Sequence, residues 1–322
     1  MSIATKARVR AADAAGIHDA AKLLRDGRLV AFPTETVYGL GADATNGRAV
    51  AAIFAAKRRP QFNPLIVHLG NQAQAESYAL FNEPARKLAA AFWPGALTLV
   101  LRRAKDCPLS DLVSAGLETV ALRVPAHPIA QQLLAEAGVP IAAPSANASG
   151  RISATIASHV QDSLGGSVDL ILDGGAAPLG LESTVIGFEG NDPVLLRAGA
   201  ITREEIEKIS GPLSEPTNTK VQAPGQLLSH YAPRARVRLG ASTVSPEEAL
   251  LAFGRNVPGG GTLTLNLSAT GDLKEAAANL FSMLHALDAS GHPIAVMPIP
   301  KEGLGEAIND RLQRSAAPRD VS

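Results

Sequence analysis

The stretch that decides the fold is FPTETVYGLG, residues 32–41, in which an apolar run gives way to hydroxyls, a carboxylate, a phenol and two glycines. Residues 28–32 have the β-branched and aromatic character of a strand. Pro33 lacks a backbone N–H, so regular strand pairing ends there. Because ligands gather where the strands of an open α/β sheet end, the stretch predicts a strand that leads into a binding site. The alternative is a strand followed by an ordinary polar turn.

Composition describes a globular chain with ample core. The 322 residues are enough for two domains, and 46% of them are hydrophobic while 19% are charged. The formal net charge is zero, whereas a general nucleic-acid binder usually carries a basic excess. Cys107 is the single cysteine, which excludes an internal disulfide and a multi-cysteine zinc site. We find no apolar run of membrane-spanning length and no secretory signal, so we expect a cytoplasmic protein without a membrane partner.

Strands alternate with helices along the first two thirds of the chain, which indicates an α/β fold. Neighbouring strands are predicted at residues 184–188 and 193–197, and a hairpin there would make the sheet mixed. We predict a domain at residues 1–210, a proline-rich linker at 211–233 and a small α/β domain at 234–322. The elements expected in the small domain are strands at 236–239, 261–265 and 293–297, and helices at 246–253, 273–289 and 306–315.

Two segments carry chemistry that a phosphate ligand would use, although the common phosphate-binding loops are missing. No G-x-x-x-x-G-K-[ST] or complete G-x-G-x-x-G sequence occurs, and residues 39–44 give only a weak dinucleotide signal. Lys57, Arg58 and Arg59 end a predicted helix, where they would either grip phosphate oxygens or complement the helix dipole. Residues 143–150, APSANASG, form a loop of small residues that would either admit a ligand to the backbone or be a plain turn.

Two arginines and a histidine lie inside predicted strands. Arg123 and Arg197 each follow apolar residues, and a buried arginine needs an anion, which would be either a ligand or an internal Asp or Glu. His68 also lies in an apolar strand, where the pattern favours a hydrogen-bonded core histidine over a ligand-binding one. The segment LESTV, residues 181–185, places a carboxylate and two hydroxyls shortly before the strand that contains Arg197.

Taken together, these segments resemble the YrdC-like threonylcarbamoyl-adenylate synthases. The motifs follow one another in the same order over roughly residues 12–210, and the tail looks like the long two-domain form. The resemblance implies a twisted mixed sheet around a deep, positive cleft, plus a smaller, Rossmann-like C-terminal α/β domain. The motifs are PTETVYGLG (33–41), KRRP (57–60) with NPL (63–65), WPG (93–95) with LT (97–98), PSAN (144–147) with SG (149–150), ESTV (182–185) and, in the tail, SHYAP (229–233).

The resemblance also implies a nucleotidyltransferase reaction in which L-threonine, bicarbonate and ATP give threonylcarbamoyl-adenylate and pyrophosphate. The product would pass to a machinery that modifies an adenosine of tRNA, and direct tRNA binding stays open. Mg²⁺ is expected on the triphosphate, with no metal site on the protein. By resemblance, the threonine-binding residues are Thr34, His68, Arg123 and Ser183. The ATP-binding residues are Lys57, Arg59, Thr119, Ser145, Asn147, Ser153, Arg197 and Tyr231, with Lys57 and Arg59 also catalytic.

Two other functions fit the fold that the motifs predict. A catalytically silent RNA- or nucleotide-binding relative would lose the threonine-contacting residues, which are present here. A nucleotide hydrolase would need a water-activating base, and no acidic pair stands beside residues 57–59. In the linker, His230 and Tyr231 predict a lid over the cleft mouth, in which Tyr231 contacts the nucleotide. The alternative for Tyr231 is packing between the two domains.

Overall fold

The computed structural model describes residues 6–216 and 230–318, and two β-sheets organise that part of the chain. The larger sheet has ten strands in the order β1-β8-β2-β3-β7-β4-β6-β5-β9-β10. It contains both parallel and antiparallel pairs, and β9 and β10 form the expected antiparallel hairpin, so the prediction of a mixed sheet is confirmed. Its strands are β1 Arg8–Ala11, β2 Val30–Phe32, β3 Gly39–Asp43, β4 Ile66–His68, β5 Leu97–Arg102, β6 Thr119–Arg123, β7 Ile141–Ala142, β8 Leu170–Asp173, β9 Thr184–Glu189 and β10 Asp192–Arg197.

Helices cover both faces of this sheet. Successive side chains of a strand point to opposite faces, and β2 shows both environments. Val30 and Phe32 pack with residues of α1 and α6 in one apolar cluster, while Ala31 belongs to the larger cluster on the other face. Burial on both faces explains why this strand reads as a continuous apolar run. The helices are α1 Ala14–Arg25, α2 Gly47–Lys57, α3 Gln72–Glu76, α4 Glu83–Phe92, α5 Asp111–Ser114, α6 Pro128–Ala137, α7 Ala157–Leu164 and α8 Arg203–Ser210.

The smaller sheet has four parallel strands in the order β11-β14-β12-β13. Its elements are β11 Val237–Arg238, β12 Ala249–Ala252, β13 Thr264–Asn266, α9 Leu273–Ala289, β14 Ile294–Val296 and α10 Leu304–Ala316. A parallel sheet with α9 as the crossover from β13 to β14 agrees with the α/β expectation for this part of the chain. No helix within the described ranges is both long enough and apolar enough to cross a membrane.

The helix predicted at residues 246–253 is wrong, because the structure has strand β12 there. All four of its residues are buried, with Leu250 and Ala252 in one apolar cluster and Ala249 and Leu251 in another. A short apolar run of alanine and leucine is compatible with either a buried helix or a buried strand. Pairing with β13 and β14 on its two sides decides in favour of the strand.

Residues 39–44, which look like the start of a dinucleotide loop, contain strand β3 instead. It pairs antiparallel with β2 and β7, and all five of its residues are buried. A Cβ at Gly41 would lie 2.8 Å from the Phe32 ring and 2.9 Å from a methyl group of Ile141. The glycine therefore permits close packing between strands, and the weak dinucleotide interpretation is abandoned.

The two sheets are joined by a shared apolar cluster. Val37, Ile152 and Leu181 from the first part of the chain pack with Tyr231 and with the buried faces of α9 and α10. The predicted linker and lid span residues 211–233, of which 217–229 lie outside the described residues. His230 and Tyr231 can be described, and both are buried.

Candidate active site

A cavity opens where several strands of the large sheet end. Strands β4 and β6 run parallel, and their register places His68 opposite Arg123 at their carboxyl ends. That is the edge at which open α/β sheets bind ligands. Eight predicted site residues line the cavity: Thr34, Arg59, His68, Arg123, Ser145, Ser183, Arg197 and Tyr231. The fold thus brings these eight residues, which come from distant segments of the chain, to one place.

Arg123 is buried and held by the motif that follows β2. Its guanidinium donates to a carboxylate oxygen of Glu35 at 2.6 Å, to the hydroxyl of Thr36 at 2.8 Å and to the carbonyl of Gly95 at 3.2 Å. Burial raises the pKa of Glu35, but the charge and hydrogen bond of Arg123 outweigh it and hold that pKa below its ordinary value. The internal anion considered for Arg123 is thus present. These bonds use three of the five guanidinium N–H groups, so a ligand carboxylate has donors left to meet.

In the described part of the chain, one ring nitrogen of His68 lacks the hydrogen bond that a core histidine would normally make. Its Nδ1 is buried and has no hydrogen-bond partner among the residues that the structure describes. The ring stands edge-on to Phe32, with 6.1 Å between ring centroids. Burial, reinforced by the charge of Arg123, lowers the pKa of His68 to about 3. His68 thus lines the cavity as a neutral imidazole, and its contact with a ligand stays a prediction.

Thr34 shapes the turn after β2. Its hydroxyl donates to the carbonyl of Val37 at 2.6 Å and accepts from the backbone N–H of Thr36 at 3.2 Å. Tyr38 follows the turn, and its hydroxyl donates to the carbonyl of Gly175 at 2.7 Å. Side-chain oxygens that satisfy nearby backbone groups are typical of threonine in tight turns. The motif therefore presents hydroxyls to the cavity on a backbone that is fixed by its own hydrogen bonds.

The end of α2 separates the three cations of the KRRP motif. Arg58 takes a left-handed conformation, with φ 51°, as the C-cap of α2 and is exposed. Lys57 and Arg59 on either side of it are buried. Arg59 lines the cavity and donates to the carbonyls of Asn63 at 3.1 Å and Pro64 at 2.9 Å. The structure thus gives Arg58, which had no assignment, the role of ending the helix.

Lys57 lies behind the 143–150 loop and is not among the residues that line the cavity. Its ammonium donates to the carbonyl of Ser145 at 2.6 Å and to that of Asn147. The carbonyl of Lys57 accepts from the backbone N–H of Ser149 at 2.9 Å. Burial, with a smaller contribution from Arg59, lowers the pKa of Lys57 well below its ordinary value. The observed role is to fix the loop that carries Ser145.

The remaining ATP candidates are placed differently from one another. Asn147 is buried; its amide donates to carbonyls of the loop, and its Oδ1 has no partner within the described ranges. Thr119 begins β6, at the opposite end of that strand from Arg123, and does not line the cavity. Ser153 is buried beside the cavity, where its hydroxyl donates to Glu182 at 2.6 Å. No observation joins Thr119 to the others, so its assignment stays a prediction.

Ser183 and Arg197 form a second fixed pair in the cavity wall. The guanidinium of Arg197 donates to the Ser183 carbonyl at 2.9 Å and to its hydroxyl at 3.2 Å. The same hydroxyl lies 2.7 Å from that of Thr98 on β5. The geometry follows from the parallel pairing of β5 with β9 and from the β9–β10 hairpin, which returns Arg197 to the start of β9. Burial lowers the pKa of Arg197.

His230 and Tyr231 complete the cavity from the far end of the chain. The ring of Tyr231 stacks on Phe281, with 5.5 Å between centroids, and the guanidinium of Arg311 lies 5.2 Å from it. Tyr231 thus packs against the helices of the smaller sheet, as the alternative interpretation has it, and it also lines the cavity. Its contact with a nucleotide stays a prediction. Burial, together with the nearby cations, lowers the pKa of His230 well below its ordinary value.

Two residues were missed by sequence reasoning. The Asn63 side chain is fully buried, and neither its Nδ2 nor its Oδ1 has a partner in the described part of the chain. The backbone carbonyl of Asn63 accepts a hydrogen bond from Arg59. A side-chain amide with unused donors and an unused acceptor therefore lies next to a cavity arginine. Glu182 was quoted only as part of a motif, yet it lines the cavity. The signal for Asn63 was its place between Arg59 and the apolar strand β4, where a buried amide needs a partner.

Comparison with known proteins agrees with this arrangement. Residues 22–199 match the Sua5–YciO–YrdC family, described as "Telomere recombination". The chain belongs to the Sua5/YrdC family. Residues 201–317 match the family described as "Threonylcarbamoyl-AMP synthase, C-terminal domain".

Relatives of this Sua5/YrdC chain match it over nearly its whole length. The threonylcarbamoyl-AMP synthase of Bacillus subtilis is 43% identical, with 95% of this chain and 94% of the relative covered. The enzyme of the same name from Pyrococcus abyssi is 41% identical, with 95% of both chains covered. The crystal structure of P. abyssi Sua5 complexed with L-threonine superposes with a TM-score of 0.87 at 37% identity, covering 97% of each chain.

Proposed function

We propose that this protein is an L-threonylcarbamoyladenylate synthase, a nucleotidyltransferase that joins L-threonine, bicarbonate and ATP and releases pyrophosphate. The observation that carries the proposal is the cavity itself. It brings Arg59, Arg123 and Arg197 together with the hydroxyls of Thr34, Ser145 and Ser183. Such a site offers charge to carboxylate and phosphate groups and hydrogen bonds to a hydroxy amino acid. Relatives named for the same reaction over nearly the full length support it.

The chemistry needs no protein nucleophile. The amine nitrogen of threonine bonds to the carbon of bicarbonate, and loss of water leaves a carbamate. A carbamate oxygen then attacks the α-phosphorus of ATP, the bond from that phosphorus to the bridging oxygen breaks, and pyrophosphate leaves with the electron pair. Catalysis is therefore positioning of the reactants and stabilisation of the charge that moves towards pyrophosphate.

The geometry suggests which residues do each part. Arg123 would receive the threonine carboxylate with its remaining N–H donors, while Thr34, His68 and Ser183 would contact the rest of the amino acid. Arg59, Arg197 and Ser145 would face the nucleotide, together with Tyr231. Support for this division comes from the register that places His68 beside Arg123 and from the hairpin that places Arg197 at Ser183. Lys57 would act through the loop that it holds.

Magnesium fits the site as an ion carried on the triphosphate. The described residues hold no group of three or more His, Cys, Asp or Glu side chains arranged for a metal. Glu182, which lines the cavity, already pairs with Arg311, and Glu35 already pairs with the cavity residue Arg123. Phosphate oxygens and water would therefore supply the ligands, as is usual for this ion. When bound, it would neutralise the phosphate charge during displacement.

The product is an acyl phosphate that would be passed on for the modification of an adenosine in tRNA, and we propose a cytoplasmic reaction because ATP and tRNA are both found there. The second candidate is a catalytically silent nucleotide-binding relative of the same fold. The intact arrangement of Arg123, Ser183 and His68 favours the synthase, because a silent relative would have no use for a threonine pocket.

One measurement tests the proposal. Pyrophosphate release from ATP is followed with L-threonine and bicarbonate added singly and together. The synthase requires both, whereas a hydrolase would release phosphate or pyrophosphate without threonine. Binding of ATP without turnover under all conditions would identify the silent relative and reject the synthase.

A further inference from the structure

Arg311 is the largest side chain that is fully buried in the described part of the chain. It lies on α10, where Ile308, Leu312 and Ser315 are also buried, so it occupies the inward stripe of an amphipathic helix. An arginine is rarely placed there unless each donor meets an acceptor, because removing the charge from water is costly. The contacts of Arg311 show which groups compensate its charge.

The C-terminal part of the chain, with the smaller sheet, α9 and α10, is called the second unit here. The guanidinium extends from this unit into the wall of the cavity. Its Nε donates to Glu182 Oε2 at 2.9 Å, and its Nη2 donates to the carbonyl of Ala198 at 2.9 Å. Its Nη1 donates to Asp310 at 2.6 Å on its own helix. It also lies 5.2 Å from the centroid of the Tyr231 ring. One side chain therefore touches two residues that line the cavity, Glu182 and Tyr231.

Glu182 is the reason that this contact matters. A carboxylate in the wall of a cavity that takes a triphosphate would repel the ligand unless a cation compensated it. Arg311 provides that compensation from behind, and Ser153 occupies the other carboxylate oxygen at 2.6 Å. Both oxygens of Glu182 are thereby engaged. The neighbouring Ser183 accepts a hydrogen bond from Arg197. Because Glu182 and Ser183 are adjacent in the chain, a shift of Glu182 would also move Ser183 in the cavity wall.

We propose that Arg311 is a positioning residue of the reaction: it neutralises Glu182 and fixes the Glu182–Ser183 wall and the Tyr231 ring around the nucleotide. The helical part of the second unit is then an integral component of the active site. The inference rests on the proposed synthase function. It assigns Arg311 no contact with substrate, so its effects are expected through Glu182 and Tyr231.

The test compares Arg311→Met with a matched control, an arginine that forms an ion pair with the same helix. Arg203 on α8 forms an ion pair with Glu306 of α10 at 2.8 Å, which also links the two units but does not line the cavity. Arg311→Met is expected to raise the KM for ATP by about tenfold or more, because Glu182 is left as a buried, unpaired charge, and to affect the KM for threonine less. Arg203→Met is expected to lower thermal stability and leave the KM for ATP unchanged.

A double variant separates positioning from a merely structural role. In Glu182→Gln/Arg311→Met both charges are gone, so the KM for ATP should return towards that of the wild type. The kcat of both the single and the double variant should be below that of the wild type, because the Tyr231 ring has lost the guanidinium packed beside it. This variant also serves if Arg311→Met alone does not fold, since an uncharged pair is tolerated better than a buried single charge.

Several outcomes would overturn the inference: a folded Arg311→Met with the wild-type KM for ATP, an equal effect of Arg203→Met, or wild-type kcat in the double variant. Wild-type protein is measured in the same pyrophosphate assay. If it needs no threonine or bicarbonate, the synthase proposal fails. If it needs both and Arg311→Met behaves like the wild type, the role given to Arg311 fails alone.

Discussion

Arg123 binds an internal carboxylate and is still expected to bind an external one. Replacing it with alanine should raise the KM for threonine, at a cost on the order of 2–4 kcal/mol for the loss of a buried charge pair. That free energy corresponds to roughly thirtyfold to a thousandfold in KM. Steady-state kinetics at saturating ATP and bicarbonate would give the value.

The same substitution leaves Glu35 buried without its partner, so stability must be followed alongside activity. Glu35→Gln/Arg123→Ala removes that unpaired charge and is the control for folding. If both proteins fold and their threonine dependence is that of the wild type, Arg123 does not bind the amino-acid carboxylate.

At the residue scale, the sequence could indicate which side chains carry chemistry but not how they are paired. Arg123 and Arg197 stood out because arginine is unusual among apolar strand residues. The partner of Arg123, Glu35, lies 88 residues away, and that of Arg311, Glu182, lies 129 residues away. No local pattern encodes such a pair, because it exists only once the chain has folded.

At the scale of elements, Lys57 links the end of α2 to the 143–150 loop. Lys57→Met removes the donor to the carbonyls of Ser145 and Asn147, so the loop should open more often. We expect faster amide hydrogen exchange at residues 143–150, a higher KM for ATP and a lower kcat. Lys22→Met, at an exposed position on α1, is the matched control and should change neither.

Normal exchange of the loop together with a lower kcat in Lys57→Met would point to direct contact with the phosphates. That result would restore the original assignment of Lys57 to the triphosphate and reject its role through the loop.

Elements with strong local signals could be predicted almost to the residue. Helix α9 runs from Leu273 to Ala289 as expected, because Asp272 caps it and leucines recur at helical spacing. Strand β12 was mistaken for a helix, since four apolar residues have no diagnostic period. Strand β1 was not expected at all. Its residues are largely exposed, and it is defined by pairing with β8, about 160 residues later.

On the scale of the whole molecule, buried histidines predict a loss of stability in acid. The pKa of His68 is about 3 and that of His159 is about 4, both lowered mainly by burial. The unfolded chain binds these protons from about pH 6.5 downwards, whereas the folded chain does not, so the free energy of unfolding falls as pH drops. The slope is up to about 1.4 kcal/mol per pH unit for the buried His68 and smaller for His159, which is partly exposed.

Glu35 and Glu182 also make the free energy of unfolding fall as the pH drops, but over a lower pH range than the histidines. Their pKa values are held below the ordinary value, so their contribution is complete above about pH 4.5 and is lost below it. Urea unfolding between pH 7 and pH 5 therefore isolates the histidines. His159→Asn should flatten the pH dependence. An identical slope in the wild type and His159→Asn would contradict the assignment.

The whole-molecule arrangement also predicts the behaviour of a fragment that ends before Gly211. It keeps the ten-stranded sheet but exposes Val37, Ile152 and Leu181, and it loses Tyr231 and the cation that compensates Glu182. We expect a folded but less stable protein with weakened synthesis. Circular dichroism and pyrophosphate release would measure the two properties. Full activity in the fragment would show that neither Tyr231 nor the second unit serves the cavity.

The position of β8 in the large sheet also affects how the chain folds during translation. Strands β1 and β2 both pair with β8, which begins at Leu170, and α1 packs its apolar face on residues of the same neighbourhood. During translation β2 can pair with β3 as soon as residue 43 has emerged, but β1 has no strand to pair with until residue 173 has left the ribosome, which takes roughly 10–30 s. The nascent chain therefore carries β1 unpaired through about half of its synthesis. The first strand of the chain is thus among the last to join the large sheet.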